Sequence, residues 1–182
     1  MASTQTWSEY NGAGLTETTG RSECNWKNID DSTTAYTDAT NGVISAPASG
    51  TNYSYWKLQA LKFAGTWGSI SALKYFAYTG GSAGTLNLGT GLTLNADVPT
   101  SSTGMQPAKT QGPSSTCPNA YASGLAANLV TSSTPWGTGT SSSTASGTMY
   151  AQPFRTQLAV GSTAGPGDIT NAVTLCAQWT ES

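Results

Sequence analysis

The sequence predicts an all-β protein. The expected form is an antiparallel β-sandwich or jelly-roll-like single domain over residues 51–182. An extended polar arm with the first short strands precedes it, over residues 1–50. Three observations predict this. Charged residues make up only 9% of the chain, against about 25% in ordinary globular proteins. Ser and Thr exceed a quarter of the residues and Gly occurs 21 times, so turn formers are plentiful while Glu, Lys, Arg and Met are scarce. Several segments alternate apolar and polar residues with the period of a half-buried strand.

Taken in order, residues 1–50 are polar, with aromatic side chains at Trp7, Tyr10, Trp26 and Tyr36. Cys24 to Ile29 alternates and is expected as a first strand, broken by Asp30-Asp31-Ser32. Val43-Ile44 begins a short extended piece before Pro47. Tyr53 to Phe63 reads as one long strand in which Trp56 and Leu58 share a face and Leu61 and Phe63 take the opposite parity. Either both faces are covered, or a bulge near Ala60 restores the register. Lys57 and Lys62 alternate with apolar residues as solvent-facing positions do. Gly65-Thr66-Trp67-Gly68 is a turn, and Ile70 to Tyr78 a second, aromatic-rich strand.

Leu86 and Leu88, Gly89-Thr90-Gly91 and the strictly alternating Leu92 to Val98 predict a hairpin. Residues 99–118 read as loop. Asn119 to Val130 is the one helix-like stretch, with Tyr121, Leu125 and Leu129 at helical spacing and Gly124 against it. Residues 131–148, around Pro135-Trp136, read as a mobile loop. Phe154 to Val160 and Ile169 to Trp179 alternate again. About seven or eight strands with turns between them suit a sandwich, jelly roll or small barrel. The absence of alternating strand and helix patterns disfavours a parallel α/β fold.

The chain has no histidine, which removes Ser-His-Asp and Cys-His catalysis and histidine metal sites. Cys24, Cys117 and Cys176 are too far apart for a close-spaced metal motif and read as buried or free thiols, with one disulfide plus a leftover thiol as the alternative. Of the nine acids, Glu9, Glu17, Glu23, Asp30, Asp31 and Asp38 fall in the expected arm, and Asp97 alone lies inside a clear strand. Asp30-Asp31 lacks the spaced ligands of a calcium loop. The seven basic residues are scattered and the net charge is −2, so no nucleic-acid partner is expected. The first residues show no secretory signal, and no apolar run is long enough to span a membrane. No cofactor, metal or catalytic residue is expected. The candidate functional residues are aromatic: Trp7, Tyr10 and Trp136, in arm or loop context, are candidate interface anchors.

Over Ser54 to Tyr75 the chain resembles small structural proteins of tailed bacteriophages, of the kind found as capsid decoration (cement) proteins. The matching pieces are the aromatic strand, glycine turn and Ile-Ser-x-Leu strand of Trp56 to Leu73, the Gly-Thr-Gly turn of Gly89 to Leu94, and the closing strands of Gln152 to Glu181. The resemblance implies a non-enzymatic virion protein, assembled in the host cytoplasm. Its partners would be the major capsid protein or other virion proteins, with self-association on the particle. The arm would lie along a neighbouring subunit, and edge strands would pair with it. Two rivals stand beside it. One is a carbohydrate- or receptor-binding module of a phage tail or fibre. The other is a polysaccharide hydrolase, which needs two carboxylates within about 10 Å across a cleft.

Overall fold

The computed structural model describes residues 3–11, 16–21, 24, 26–28, 44–79, 87–98, 125–126, 129–130, 146–165 and 173–182. These residues are all-β and antiparallel, with no helix among them. The strands are β1 (Thr4–Asn11), β2 (Thr16–Thr19), β3 (Thr51–Tyr53), β4 (Lys57–Thr66), β5 (Ile70–Thr79) and β6 (Leu92–Asp97). They continue with β7 (Leu125–Ala126), β8 (Leu129–Val130), β9 (Ser146–Ala151), β10 (Phe154–Gly161) and β11 (Val173–Glu181). A large sheet has eight strands, counting the two-residue β8, and runs β2-β1-β4-β10-β3, with β6 on β10 and β9 between β4 and β8. A small sheet runs β11-β5-β7.

Two bulges organise the large sheet. β3 and β4 form one edge against β10: Tyr53 pairs with Ala159 and Lys57 with Thr156, so Ser54, Tyr55 and Trp56 oppose only Gln157 and Leu158. The extra residue is held by Ser54, whose N–H donates to the Leu158 carbonyl at 2.9 Å and whose hydroxyl accepts the Leu158 N–H at 3.0 Å. β9 and β10 meet β4 in the same manner. Lys62 pairs with Tyr150 and Gln59 with Phe154, leaving Ala151, Gln152 and Pro153 opposite Ala60 and Leu61. Pro153 has no N–H for a ladder, so the break falls there.

Alternation along these strands sets two faces. Trp7, Leu61, Phe63, Met149 and Phe154 share the inner face and meet Ile70, Leu73 and Tyr75 of β5 in one buried cluster, with Leu175, Ala177 and Trp179 of β11 packed against it. Tyr75 stacks on Phe154 with ring centroids 4.3 Å apart, and Trp179 meets Phe63 edge-on at 5.4 Å. A second cluster joins Leu94, Leu158 and Val160 to Trp26, Leu88 and Ala77 of β5. Each large apolar side chain buried there contributes about 1.5–3 kcal/mol. The core thus lies between the two sheets, which gives a sandwich-like architecture. The crossover from β4 to β5 is pinned by the chain's end: Gly68 N–H donates to the Ser182 carbonyl at 2.6 Å. A Cβ at Gly68 would lie 2.5 Å from that oxygen, so only glycine fits.

Several sequence expectations change. Within residues 1–50, Thr4 to Tyr10 pairs residue for residue with Ala64 to Leu58, which places β1 inside the large sheet. Asn119 to Val130 is not a helix where it is described. Leu125–Ala126 pairs with Tyr75 and Lys74, and Leu129–Val130 with Ala151 and Tyr150, because the ladder edges offer the backbone more partners than a helix interrupted by Gly124. β4 itself does not bulge at Ala60; the extra residue lies opposite it, between β9 and β10. The register of β4 with β1 is unbroken, and Lys57 to Leu61 are buried on both faces. Lys57, expected in solvent, is 1% exposed. The Gly89-Thr90-Gly91 turn leads into β6, yet β6 pairs with β10 rather than with Asn87-Leu88, which lie outside any strand. The described residues of Cys24 to Ile29 are likewise not strand.

Candidate functional site

The three aromatic residues singled out from the sequence take different places. Trp7 sits on the inner face of β1, half-buried, with its ring 6.0 Å from those of both Tyr75 and Phe154. Tyr10 is on the opposite face, 2% exposed, in a small cluster with Leu58 and Ala60. Burial, with Glu17 nearby, pushes its phenol well above the ordinary tyrosine range. Trp136 lies outside the described residues. Trp7 and Tyr10 therefore share a strand but not a face, and neither presents its whole ring to solvent.

On the inner face the register places a polar strip between the two apolar clusters. Glu9 is the cross-strand partner of Gln59, and Lys57, two residues along, is the partner of Thr156. The Lys57 ammonium lies 3.4 Å from the Glu9 carboxylate, and both side chains are 1% exposed. Trp26 Nε1 donates to Thr156 Oγ1 at 3.0 Å, and Thr156 also bonds the Cys24 thiol. Burial, and then the Glu9 charge, push that thiol up to about 12. Lys27, also 1% exposed, lies one residue beyond Trp26, and its carbonyl accepts the Tyr55 N–H at 2.8 Å. Glu9 Oε2 and Gln59 Oε1 find no partner among the described residues.

The chemistry open to this strip is limited by access. A general acid or base must reach substrate, directly or through one water, and a pair at 1% exposure between two sheets does not. A thiol held near 12 is not a nucleophile at neutral pH. Among the described residues no group of three or more Cys, Asp and Glu side chains is placed to share a metal ion. Cys24 and Cys176 are free thiols, and Cys117 lies outside the described residues. The pair ties Glu9 of β1 to Lys57 of β4 across the ladder, with Glu9 Oε2 left without a partner among the described residues. Sequence reasoning missed it because β1 reads Gln5, Trp7, Glu9 on one face and Thr6, Ser8, Tyr10 on the other, so neither face signals a core.

The surface offers a different feature. β2, Thr16-Glu17-Thr18-Thr19, is the edge of the large sheet. It pairs with β1 through Ser8 to Asn11, and its second edge has no strand partner among the described residues. Thr16, Glu17 and Thr19 are exposed. Ser8 Oγ donates to Glu17 Oε1 at 2.7 Å, which draws the strand's only charge back towards β1. At the start of β1, Ser3 N–H and hydroxyl donate to the two Glu181 carboxylate oxygens at 2.6 and 2.8 Å, holding that carboxyl below its usual range. Comparison with known proteins finds no matching family model, no similar curated protein and no similar solved structure.

Proposed function

We propose that this chain is a non-enzymatic structural protein of a tailed-bacteriophage particle, a decoration protein that bridges and stabilises capsid subunits, with a β-sandwich core of jelly-roll type. The observation that carries the reading is the nearly neutral second edge of β2, which no strand among the described residues pairs. Such an edge presents a row of backbone donors and acceptors, and an extended segment of a neighbouring subunit or of a second copy satisfies them by adding a strand. The segments that resemble phage structural proteins support it from the sequence side. Trp56 to Leu73, Gly89 to Leu94 and Gln152 to Glu181 supply β4, β10 and β11 and parts of β5 and β6. Work of this kind needs no proton transfer, and the buried Glu9–Lys57 pair is sealed from any substrate.

The test is to purify particles and measure their protein composition by quantitative mass spectrometry. The chain is expected in near-stoichiometric ratio to a capsid or tail component. Its presence only in the lysate, and never in particles, overturns the reading.

A further inference from the structure

We propose that the outer face of the large sheet carries a binding trough for a neutral saccharide, floored by Ala159 and Gly161 of β10 and walled by Thr51 and Tyr53 of β3 on one side and Thr93 and Asn95 of β6 on the other. The register builds it. Ala159 is the cross-strand partner of both Tyr53 and Thr93, and Gly161 of Thr51. Cross-strand partners project from the same face, so small residues on the middle strand leave room between larger ones on its neighbours. The space is about 370 Å³, within the range of small-molecule sites. One end is fixed in shape: Gly161 N–H donates to the Gly91 carbonyl at 2.7 Å, and Gly91 has φ 71° with no room for a side chain.

The lining selects the ligand. It holds two threonine hydroxyls, one amide and one phenol ring, with no charged residue among them. An ionic ligand would lose its hydration there without a counter-charge. A peptide strand is disfavoured too, because β10 is already paired on both edges, to β3 and β6, and has no free ladder to offer. Recognition therefore rests on side chains. Those of Thr51, Tyr53, Thr93 and Asn95 make no hydrogen bond among the described residues, although Asn95 is only 9% exposed. The Asn95 amide is not among the side-chain atoms sealed from solvent without a partner, so it stays accessible and free to bond a ligand in the trough. A neutral sugar matches this set: its hydroxyls pair with Thr and Asn, and its C–H face packs on the Tyr53 ring.

The inference does not depend on the particle role. Its test is a glycan array probed with the purified full chain, with isothermal titration of any hit. Wild type is expected to retain at least one uncharged glycan. Tyr53→Ala should weaken binding about tenfold or more, equivalent to about 1.4 kcal/mol. Thr93→Trp, which fills the trough from an exposed position, should abolish it while the thermal transition stays unchanged. Failure of wild type to bind any uncharged glycan, binding of acidic glycans alone, or full binding by a folded Thr93→Trp variant each overturns the proposal.

Discussion

Glu9 and Lys57 are the residues on which the inner face turns. Removing one partner strands the other charge between the sheets, so Glu9→Leu should cost about 3–5 kcal/mol of unfolding free energy. The double variant Glu9→Leu with Lys57→Met removes both charges at similar volume and should recover most of that loss. Urea denaturation of the three proteins measures it, and a single variant as stable as wild type would show that the pair is not fixed. Cys24 gives a second expectation at this scale. Burial first, and the Glu9 charge second, raise its thiol from 9.0 to about 12. A raised acid favours the folded state only while the unfolded thiol stays protonated. The contribution is full below pH 9.0 and is lost as pH rises towards about 12. Burial raises Tyr75 and Tyr10 in the same direction, so the loss steepens once unfolded tyrosines ionise near their ordinary 10.0. Thermal melts from pH 8 upward should fall through this window, and Cys24→Ser should soften the first part of the fall.

Among the elements, β5 carries the clearest backbone cost. Opposite β11 its register shifts between Gln178 and Thr180, so Ala72 and Leu73 together oppose Trp179, and Ala72 has φ 54°. Left-handed backbone costs a residue with a Cβ about 1–2 kcal/mol. Ala72 is exposed, so Ala72→Gly removes that cost without opening a cavity, and the denaturation midpoint should rise by the equivalent of about 1 kcal/mol. The edge strand gives the other prediction. Thr16→Lys with Thr19→Lys puts charge along β2 at exposed positions. Particle occupancy should drop about tenfold or more with the circular dichroism spectrum unchanged, and undiminished occupancy would remove β2 from the interface. The elements also mark what was legible in the chain. β4, β6, β10 and β11 were readable because one or both of their faces bury a regular apolar set, as Leu92 to Leu94 and Phe154 to Val160 do. β1 was not, since its inner face mixes Trp7 with Glu9. Leu125–Ala126 and Leu129–Val130 were misread because Tyr121, Leu125 and Leu129 sit at helical spacing while so short an apolar run fits either period, and the ladder edges of β5 and β9 decide between them. Lys57 has the local pattern of a surface lysine. Only the second sheet and Glu9, both distant in sequence, bury it, and the Tyr53–Asn95 trough depends on a β3-β10-β6 register no local pattern encodes.

At the scale of the molecule the question is what kind of force such a surface exerts. The chain has seven basic and nine acidic residues, and the fold withdraws Lys27, Lys57 and Glu9 from solvent. Among the described residues, what remains outside is sparse in charge and rich in hydroxyls, with Glu17 and Glu181 already bonded to Ser8 and Ser3. Attachment through such a surface should rest on apolar burial and neutral hydrogen bonds rather than on Coulomb attraction. Those terms respond weakly to salt, whereas exposed charge pairs are screened as the Debye length shrinks from about 10 Å at about 0.1 M to about 3 Å at about 1 M. Rebinding of the purified chain to stripped particles should therefore change by less than about threefold across that range of salt. A steep decline would mean that the few exposed charges converge on a single patch and steer the contact. The neutral edge of β2 would then be a bystander, and docking would centre on the exposed Lys74 and the half-buried Lys62 instead.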